Sequence, residues 1–272
     1  MRTQELAPAK INLALDILGR RADGYHELRM VMQTVSLCDV ITVEEGGTGF
    51  TLLTGEAFSL PADKVSMEQR AAEAFFAALG VPVPPLTVRL EKNIPAFAGL
   101  GGGSADVAAL LRCLRRLYAA GMPDEALRAI GLIVGSDVPF CVSGGTSLAE
   151  GRGERLTDLP PLPVCQIVLC KPDFGISTPE LFVLADGAVL SKRPDIAGLT
   201  AALQGGELTG VTDRLCNVFE EFLPERYREV FRIKESLLAH GALNAAMSGS
   251  GPTVYGIFES AAEAQRAAEV LK

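Results

Sequence analysis

A glycine-rich stretch between a strand-like run and a helix-like run constrains the fold of this chain more than any other feature. Residues 95–106 read PAFAGLGGGSAD. Apolar residues alternate through 86–91 before it, and leucines at helical spacing follow through 107–117, which predicts a strand–loop–helix junction. Glycines permit unusual backbone angles, and a helix N-terminus offers unpaired N–H groups to an anion. The stretch therefore predicts a phosphate-binding loop.

The alternative, a flexible linker, is disfavoured because so apolar a helix follows the glycines at once. The stretch also differs from the common nucleotide signatures. It lacks the GK[ST] ending of a P-loop, and the acidic residue that should follow a dinucleotide-binding glycine turn is not evident. We expect Ser104 to cap the following helix or to contact a phosphate or a magnesium ion.

Composition limits the class of protein. A chain of 272 residues with 48% hydrophobic content can bury the core of one large domain or two smaller ones. The net charge of −8 opposes a protein that coats nucleic acid. The six cysteines show no CxxC spacing, so we expect reduced core residues and no zinc site. Short apolar runs and the lack of a signal-like start predict a cytoplasmic protein without membrane spans.

Four polar residues at three places outside the glycine stretch are candidate functional residues. Lys10 lies on the polar face of an alternating run at 7–19, where a lysine is more often a solvated surface charge. Tyr25-His26 lies in a polar turn and can stack on a planar ligand, although such a pair is more often incidental. Asp137 interrupts the apolar run 133–142, and burial of an unpaired charge is costly. We therefore expect a lysine or a bound cation beside Asp137.

The remaining pattern mixes strands and helices in both halves, which predicts an α+β protein. The proline run at 160–163 is the predicted boundary between domains at 1–159 and 160–272. A second glycine loop, at 248–251, lies between short predicted strands. We predict strands at 30–37, 40–45 and 164–170, and helices at 66–79, from 123, at 178–185, 195–203 and 225–240, and from 261.

The glycine stretch resembles the central motif of the GHMP kinases, the family of galactokinase, homoserine kinase and mevalonate kinase. Within that family, the whole order of motifs resembles the members whose alcohol substrate carries a cytidine diphosphate group. The resemblance implies two α+β lobes, one like domain 2 of ribosomal protein S5 and one ferredoxin-like, with the active site in the cleft between them. The other matching segments are PAKINL at 8–13, GRRADGYHE at 19–27, GSDVPF at 135–140, AEGRGE at 149–154 and SGSG at 248–251.

This resemblance implies transfer of the γ-phosphoryl group of ATP to a substrate hydroxyl, with Mg²⁺ carried by ATP. Lys10 and Asp137 match the catalytic pair, in which Asp137 accepts or orients the hydroxyl proton and Lys10 stabilises the transferred charge. Whether Asp137 is a true base stays open. Lys92 matches a residue near the nucleotide, although a surface lysine is an equally good interpretation. The implied ATP-binding residues are Lys92, Pro95, Gly99, Leu100, Gly101, Gly102, Gly103 and Ser104.

The implied substrate pocket is built around a pyrimidine base. Tyr25 and Phe182 match the aromatic residues that sandwich cytosine, and His26 matches the residue that reads its hydrogen-bonding edge. The other implied substrate contacts are Asn12, Asp137, Thr178, Gly249, Ser250 and Gly251.

Other functions stay open from the sequence. One is a GHMP kinase for a mevalonate-type or homoserine-type alcohol, for which the base-binding set would have no purpose. Another is a non-catalytic nucleotide sensor, which would not need the pair of Lys10 and Asp137. We expect a small-molecule substrate, no nucleic-acid or membrane partner, and a monomer or weak homodimer.

Overall fold

The computed structural model describes residues 1–55 and 65–272. It divides into two units. Unit 1 contains Met1–Lys10, Thr34–Ala96 and Gly101–Gly144, and unit 2 contains Ile11–Gln33, Phe97–Leu100 and Gly145–Lys272. Two long strands, β1 (Arg2–Arg20) and β2 (His26–Glu45), each contribute residues to both units. The predicted boundary near residue 160 stays a prediction.

Unit 1 combines a sheet with a layer of helices. The strand order is β3-β4-β2-β1, with β3 parallel to β4 and β4 antiparallel to β2. Apolar side chains such as Val43, Val88 and Phe75 are fully buried and form its core. The further elements are β3 (Phe50–Thr54), α1 (Met67–Ala78), β4 (Leu86–Glu91), α2 (Gly102–Tyr118), α3 (Asp124–Val134) and α4 (Val138–Ser143).

Unit 2 holds two groups of strands. In the first, β5 (Thr146–Gly151) pairs antiparallel with β2 and with β6 (Arg155–Leu159), while β8 (Cys216–Asn217) pairs parallel with β1. The second group is an antiparallel sheet with the order β7-β10-β9. Its strands are β7 (Gln166–Cys170), β9 (Asn244–Met247) and β10 (Val254–Phe258).

The helices of unit 2 complete the fold. Among them, α8 packs against β9 and β10, and α9 packs against β7. Tyr255 and Phe258 are fully buried there. The helices are α5 (Thr178–Gly187), α6 (Ile196–Gly205), α7 (Leu208–Thr212), α8 (Glu229–Ala239) and α9 (Ala261–Val270). The α+β class predicted from the sequence is confirmed.

The structure corrects the two strands predicted at 30–37 and 40–45, because β2 is continuous from His26 to Glu45. The predicted gap between these strands covered Cys38 and Asp39. Asp39 is instead fully buried in the strand, where it accepts a hydrogen bond from the backbone N–H of Ile94 at 2.7 Å and pairs with Lys92. A buried carboxylate with such donors is compatible with an uninterrupted strand.

Other boundaries also differ from the predictions. Gly101, not Ser104, is the N-cap of α2, because its φ of 69° directs the chain into the helix, and Ser104 lies within the first turn. The strand predicted at 164–170 begins at Gln166, since Val164 is almost fully exposed. A separate 3₁₀ turn at Glu225–Tyr227 precedes α8.

The six cysteines are unpaired, as expected for reduced residues, but only two of them are buried. All six cysteines have free thiols, and Cys113 and Cys141 are buried. Burial raises the pKa of each of these two thiols to about 12. Cys38, Cys165, Cys170 and Cys216 are half-buried. Cys165, Cys170 and Cys216 lie at or beside strand ends, whereas Cys38 lies within β2.

In residues 1–55 and 65–272, no helix combines the length and the apolar character that crossing a bilayer requires.

Candidate active site

Lys10 and Asp137 form an ion pair within unit 1. Lys10 Nζ lies 3.5 Å from Asp137 Oδ2, with the lysine side chain 6% exposed and the aspartate side chain 32% exposed. Asp137 precedes α4 as its N-cap residue but makes no side-chain capping bond to that helix. Its carboxylate is therefore positioned beside Lys10 while remaining accessible to solvent, as a group that meets a substrate must be.

The glycine loop passes close to the lysine. A Cβ atom at Gly101 would lie 2.9 Å from Lys10 Cγ and 3.1 Å from Lys10 Cε, which is closer than such atoms approach. Gly101 also has a positive φ of 69°, a conformation that favours glycine. Only glycine therefore permits this loop conformation and the present path of the Lys10 side chain together.

The first turn of α2 offers backbone N–H groups at a helix N-terminus in unit 1. The helix begins at Gly102, and the N–H groups of its first turn lack helical acceptors by geometry. Because α2 is 17 residues long, the positive end of its helix dipole also lies at this point. Gly102, Gly103 and Ser104 supply that turn, so the predicted phosphate loop has a suitable local structure.

In unit 2, the first glycine loop packs against the second. A Cβ atom at Gly99 would lie 2.1 Å from the carbonyl oxygen of Ser248 and 2.9 Å from the backbone nitrogen of Gly251. The Ser248 hydroxyl donates to the Gly99 carbonyl at 2.9 Å. Leu100, the next residue, is buried. The two loops that the sequence singled out separately are thus in direct contact.

Asn217 fixes the backbone of the second loop. Its Nδ2 donates to the carbonyls of Met247 and Gly249, each at 2.8 Å, and its Oδ1 accepts from the N–H of Phe219 at 3.1 Å. The side chain is buried. Because one amide side chain satisfies three backbone groups, Asn217 determines the shape of residues 247–249. Beside this loop, Thr178 and Ser250 share a hydrogen bond of 2.6 Å.

Lys92 lies between two buried carboxylates in unit 1. Its Nζ contacts Asp39 Oδ2 and lies 2.7 Å from Asp106 Oδ2. Burial raises the pKa of Asp106 to about 8, although Lys92 acts in the opposite direction. Burial acts to lower the pKa of Lys92, but the two carboxylates reverse that effect and raise it. Lys92 is therefore not a simple surface lysine.

The Lys92 cluster adjoins the glycine loop. A Cβ atom at Gly102 would lie 3.4 Å from Lys92 Nζ. Asp106 follows Gly102 by one helical turn, and its Oδ1 has no hydrogen-bond partner among the described residues. Lys92 thus connects β2, the segment after β4 and the start of α2. Pro95, between this cluster and the loop, is exposed.

His26 and Phe182 come together in unit 2. Their rings stack with centroids 4.7 Å apart and planes inclined by 20°. His26 Nε2 lies 2.8 Å from Asp186 Oδ1. The other ring contact of Phe182 is an edge contact with Phe219, with centroids 5.2 Å apart. One face of Phe182 is thus covered by the His26 imidazole. Both residues were predicted to contact the cytosine.

Tyr25 and Asn12 have different surroundings in the same unit. The Tyr25 ring is half exposed, and the Arg152 guanidinium lies over it at 4.5 Å from the centroid. Asn12 is buried, its Nδ2 lies 3.4 Å from Met30 Sδ, and its carbonyl accepts from the Tyr255 hydroxyl at 2.9 Å. The structure therefore brings together the predicted pair of Lys10 and Asp137. It also places two sets of separately predicted residues in contact, His26 with Phe182 and Thr178 with Ser250.

Sequence reasoning missed several residues that shape these groups. Asp39 and Asp186 gave weak signals: Asp39 interrupts an apolar run as Asp137 does, and Asp186 follows Phe182 by one helical turn. Asp106 lies directly behind the glycines. Asn217 gave no local signal, because its role depends on a loop about thirty residues later in the chain.

Comparison with known proteins gives a consistent result for both halves of the chain. The family description "GHMP kinases N terminal domain" matches residues 66–145, and "GHMP kinases C terminal" matches residues 200–272. A 4-diphosphocytidyl-2-C-methyl-D-erythritol kinase of Caldicellulosiruptor bescii is 39% identical over 98% of this chain and 93% of its own length. The protein of that name from Pelotomaculum thermopropionicum is 44% identical over 93% of this chain and 88% of its own.

Solved structures extend the comparison to the fold. A crystal structure of 4-(cytidine 5'-diphospho)-2C-methyl-D-erythritol kinase matches with a TM-score of 0.82 and 34% identity, covering 99% of this chain and 95% of that chain. The homoserine kinase from Cytophaga hutchinsonii matches with a TM-score of 0.76 at 19% identity, covering 100% and 89%, and shows the shared fold alone. By sequence and by fold, this chain belongs to the GHMP kinase family, together with the 4-diphosphocytidyl-2-C-methyl-D-erythritol kinases.

Proposed function

We propose that this chain transfers the γ-phosphoryl group of ATP to the 2-hydroxyl of 4-diphosphocytidyl-2-C-methyl-D-erythritol. The products are the 2-phosphate and ADP, in the methylerythritol phosphate route to isoprenoid precursors. The observation that carries the proposal is the ion pair between Lys10 and Asp137, held at 3.5 Å beside the glycine loop. The names of relatives about 40% identical over nearly the whole chain support this substrate.

In this mechanism Asp137 accepts or orients the proton of the attacking hydroxyl. Phosphoryl transfer passes through a loose transition state with charge on the transferred group, so positioning and electrostatics supply most of the rate. Lys10 orients the carboxylate and places a positive charge beside the reacting group. Because Lys10 is almost fully buried, its charge acts with less solvent screening than a surface lysine would.

The glycine loop binds the ATP phosphates in the proposal. Backbone N–H groups of residues 101–104 face the anion at the N-terminus of α2. Lys92 lies next to Gly102 and adds a positive charge near the loop, besides Lys10 and the positive end of the helix dipole. Its two carboxylate partners, Asp39 and Asp106, fix its position. Lys92 would therefore stabilise the loop and also contribute charge near the nucleotide.

The proposal includes magnesium bound with ATP. Mg²⁺ prefers hard oxygen donors and retains several waters, and Ser104 and Asp137 offer a hydroxyl and a carboxylate of that kind in unit 1. Within the described part of the chain, no group of three or more His, Cys, Asp and Glu side chains is arranged to hold a metal. The ion would neutralise part of the phosphate charge, and Ser104 is the proposed protein contact.

The substrate base would bind in unit 2. Tyr25 and Phe182 offer aromatic faces, and His26 offers a ring nitrogen to the edge of the cytosine. Because His26 stacks on one face of Phe182 in this structure, the base would use the other face of Phe182, with the imidazole kept in place. Asn12, Thr178 and the loop 249–251 would contact the erythritol hydroxyls and the diphosphate.

Three further parts of the proposal rest on the sequence. We expect a cytoplasmic enzyme, since the composition agrees with an enzyme of that compartment. We expect no nucleic-acid or membrane partner. We also expect a monomer or a weak homodimer, which sedimentation over a concentration series would test.

The test of the proposed function is ADP release in a coupled assay with magnesium-ATP. Four alcohols are offered in parallel: 4-diphosphocytidyl-2-C-methyl-D-erythritol, mevalonate, homoserine and galactose. Turnover with the cytidyl substrate alone supports the proposal. Turnover with another alcohol would retain the kinase chemistry and remove the base-binding pocket, whereas ATP binding without turnover on any of them would favour a nucleotide sensor.

A further inference from the structure

An acidic residue outside every matched motif holds the histidine of the proposed base-binding pocket. Asp186 Oδ1 lies 2.8 Å from His26 Nε2, and Asp186 Oδ2 lies 3.2 Å from Arg20 Nη1. Both oxygens of Asp186 therefore face nitrogen donors. An arginine can only donate hydrogen bonds, so this arrangement suits a carboxylate that accepts at both oxygens.

The helix α5 places two side chains against the same imidazole. Phe182 and Asp186 are four residues apart, so they project from one face of the helix. Phe182 covers the face of the His26 ring, and Asp186 binds its edge at Nε2. The His26 side chain is only 9% exposed. Its orientation is thus fixed from two directions by one turn of helix.

The contact with Asp186 also decides where the ring proton lies. An ionised carboxylate has no proton to donate, so the hydrogen bond requires the proton on His26 Nε2. In a neutral imidazole the other nitrogen, Nδ1, then carries a lone pair and acts as an acceptor. Asp186 therefore determines that His26 Nδ1 accepts a hydrogen bond, although Asp186 does not contact Nδ1.

We infer that Asp186 is a positioning residue that keeps Nδ1 of His26 an acceptor, so that the pocket selects a pyrimidine with an exocyclic amine. This inference rests on the proposed function, in which His26 reads the base. Cytosine presents the C4 amine as a donor, whereas uracil presents a carbonyl at the same position. A uracil carbonyl facing Nδ1 would bring two hydrogen-bond acceptors together. A site that accepts an N–H group discriminates strongly against a ligand without that N–H group.

The chain contains an internal reference for the proton position. It has only two histidines, and the second, His240, has Nδ1 at 2.7 Å from the carbonyl oxygen of Ser236. A carbonyl only accepts, so the proton of His240 must lie on Nδ1. The two histidines are therefore expected to be opposite tautomers.

The first test is the long-range ¹⁵N–¹H spectrum of the two imidazoles in the free full-length protein. It is recorded near pH 8.5, about two units above the ordinary imidazole pKa. We expect His26 to be protonated at Nε2 alone and His240 at Nδ1 alone. Asp186→Asn and Asp186→Ala should change the ring shifts of His26 and leave those of His240 unchanged. A proton on His26 Nδ1 in the unmodified chain would overturn the inference, and so would unchanged His26 shifts in both variants.

A control variant on the same helix separates this effect from loss of helix stability. Glu180 also lies on α5, where it pairs with Arg226 and accepts from the Tyr227 hydroxyl at 3.5 Å. Glu180→Gln removes a carboxylate from the helix without touching the histidine. We expect the His26 shifts to stay as in the unmodified chain. If Glu180→Gln moved them as far as Asp186→Asn does, the role of Asp186 would be structural only.

The second test compares the cytidyl substrate with its uridyl analogue in steady-state kinetics. Asp186→Ala should raise KM for the cytidyl substrate by about tenfold, the scale of one hydrogen bond, and narrow the preference over the uridyl analogue. The kcat value should change by less than about threefold, because Asp186 does not meet the reacting atoms. If the ratio of the KM values for the uridyl and cytidyl compounds were the same in Asp186→Ala as in the unmodified chain, the inference would be contradicted. If the unmodified chain phosphorylated neither compound, the proposed function would fail, while the spectrum would still decide the tautomer.

Discussion

The side chain of Lys10 crosses Gly101 so closely that a Cβ atom there would lie 2.9 Å from Lys10 Cγ. The glycine loop and the lysine of the proposed catalytic pair are therefore fitted to one another. This contact gives a second reason for glycine at position 101 besides its positive φ. A larger residue there would displace the Lys10 side chain.

Gly101→Ala should displace Lys10 and reduce kcat/KM by about a hundredfold, since a shift of about 1 Å in a catalytic group costs that much. Steady-state ADP release measures the loss. Gly80→Ala is the matched control, because Gly80 has a similar φ of 71° with no neighbour within 4 Å of its Cβ position. We expect it to cost about 1 kcal/mol of folding free energy and to leave kcat unchanged. Equal activity of the two variants would contradict the role of the contact.

Asp137→Asn should lower kcat by about a hundredfold to ten-thousandfold, the range for loss of a group that accepts a proton in the transition state. ATP affinity, measured by calorimetry, should change little. The folding free energy should fall, because the buried Lys10 loses its charged partner, and urea unfolding measures that loss separately. Turnover near that of the unmodified chain would remove Asp137 from the mechanism.

The buried cluster around Lys92 predicts a pH dependence of stability. The pKa of Asp106 is about 8 in the folded chain, raised by burial, against about 4 for a carboxyl in an unfolded chain. Between these values only the folded state holds the proton, so the contribution of Asp106 to stability is full below about pH 4 and is lost as the pH rises to about 8. Asp106→Asn should remove this contribution.

Urea unfolding at several pH values between about 5 and 8 measures the effect. Relative to the unmodified chain, Asp106→Asn should gain stability as the pH rises. Asp173→Asn removes the same charge from an exposed position and controls for net charge. A constant difference between Asp106→Asn and the unmodified chain across the pH range would show that the buried carboxyl does not hold the proton.

Asn217→Ala should loosen the second glycine loop, because it leaves three backbone groups without their side-chain partner. We expect a loss of about 2 kcal/mol of folding free energy and a higher KM for the alcohol substrate. Asn93→Ala is the control, since the Asn93 amide donates one bond of 2.9 Å to the Cys38 carbonyl at the exposed surface. It should cost less than about 1 kcal/mol. Similar losses in both variants would contradict the special role of Asn217.

The sequence predicts features that depend on local pattern. The end of β4, the glycine loop and the start of α2 follow from glycines between two periodic apolar runs, and the structure places them as predicted. The partner required by Asp137 follows from the cost of an isolated charge in an apolar run. That the partner is Lys10 came only from family resemblance, because the two residues are distant in the chain.

Contacts distant in sequence account for what was missed. Asp39 lies more than fifty residues before Lys92, so no local pattern connects the two residues. Asp186 lies 160 residues after His26, so no spacing rule connects them. Asn217 likewise acts on a loop formed later in the chain. Each of these residues acquires its role only when the fold brings its partners together.

The most direct measurement of the central claim is the ³¹P spectrum of the product formed from magnesium-ATP and the cytidyl substrate. The substrate carries a methyl group on C2, so its 2-hydroxyl is a tertiary alcohol without a proton on the carbinol carbon. Our account predicts ADP together with one new phosphate monoester whose resonance is not split by a carbinol proton. A monoester resonance split by such a proton would show attack by a primary or secondary hydroxyl, and would contradict the geometry proposed for Asp137 and Lys10.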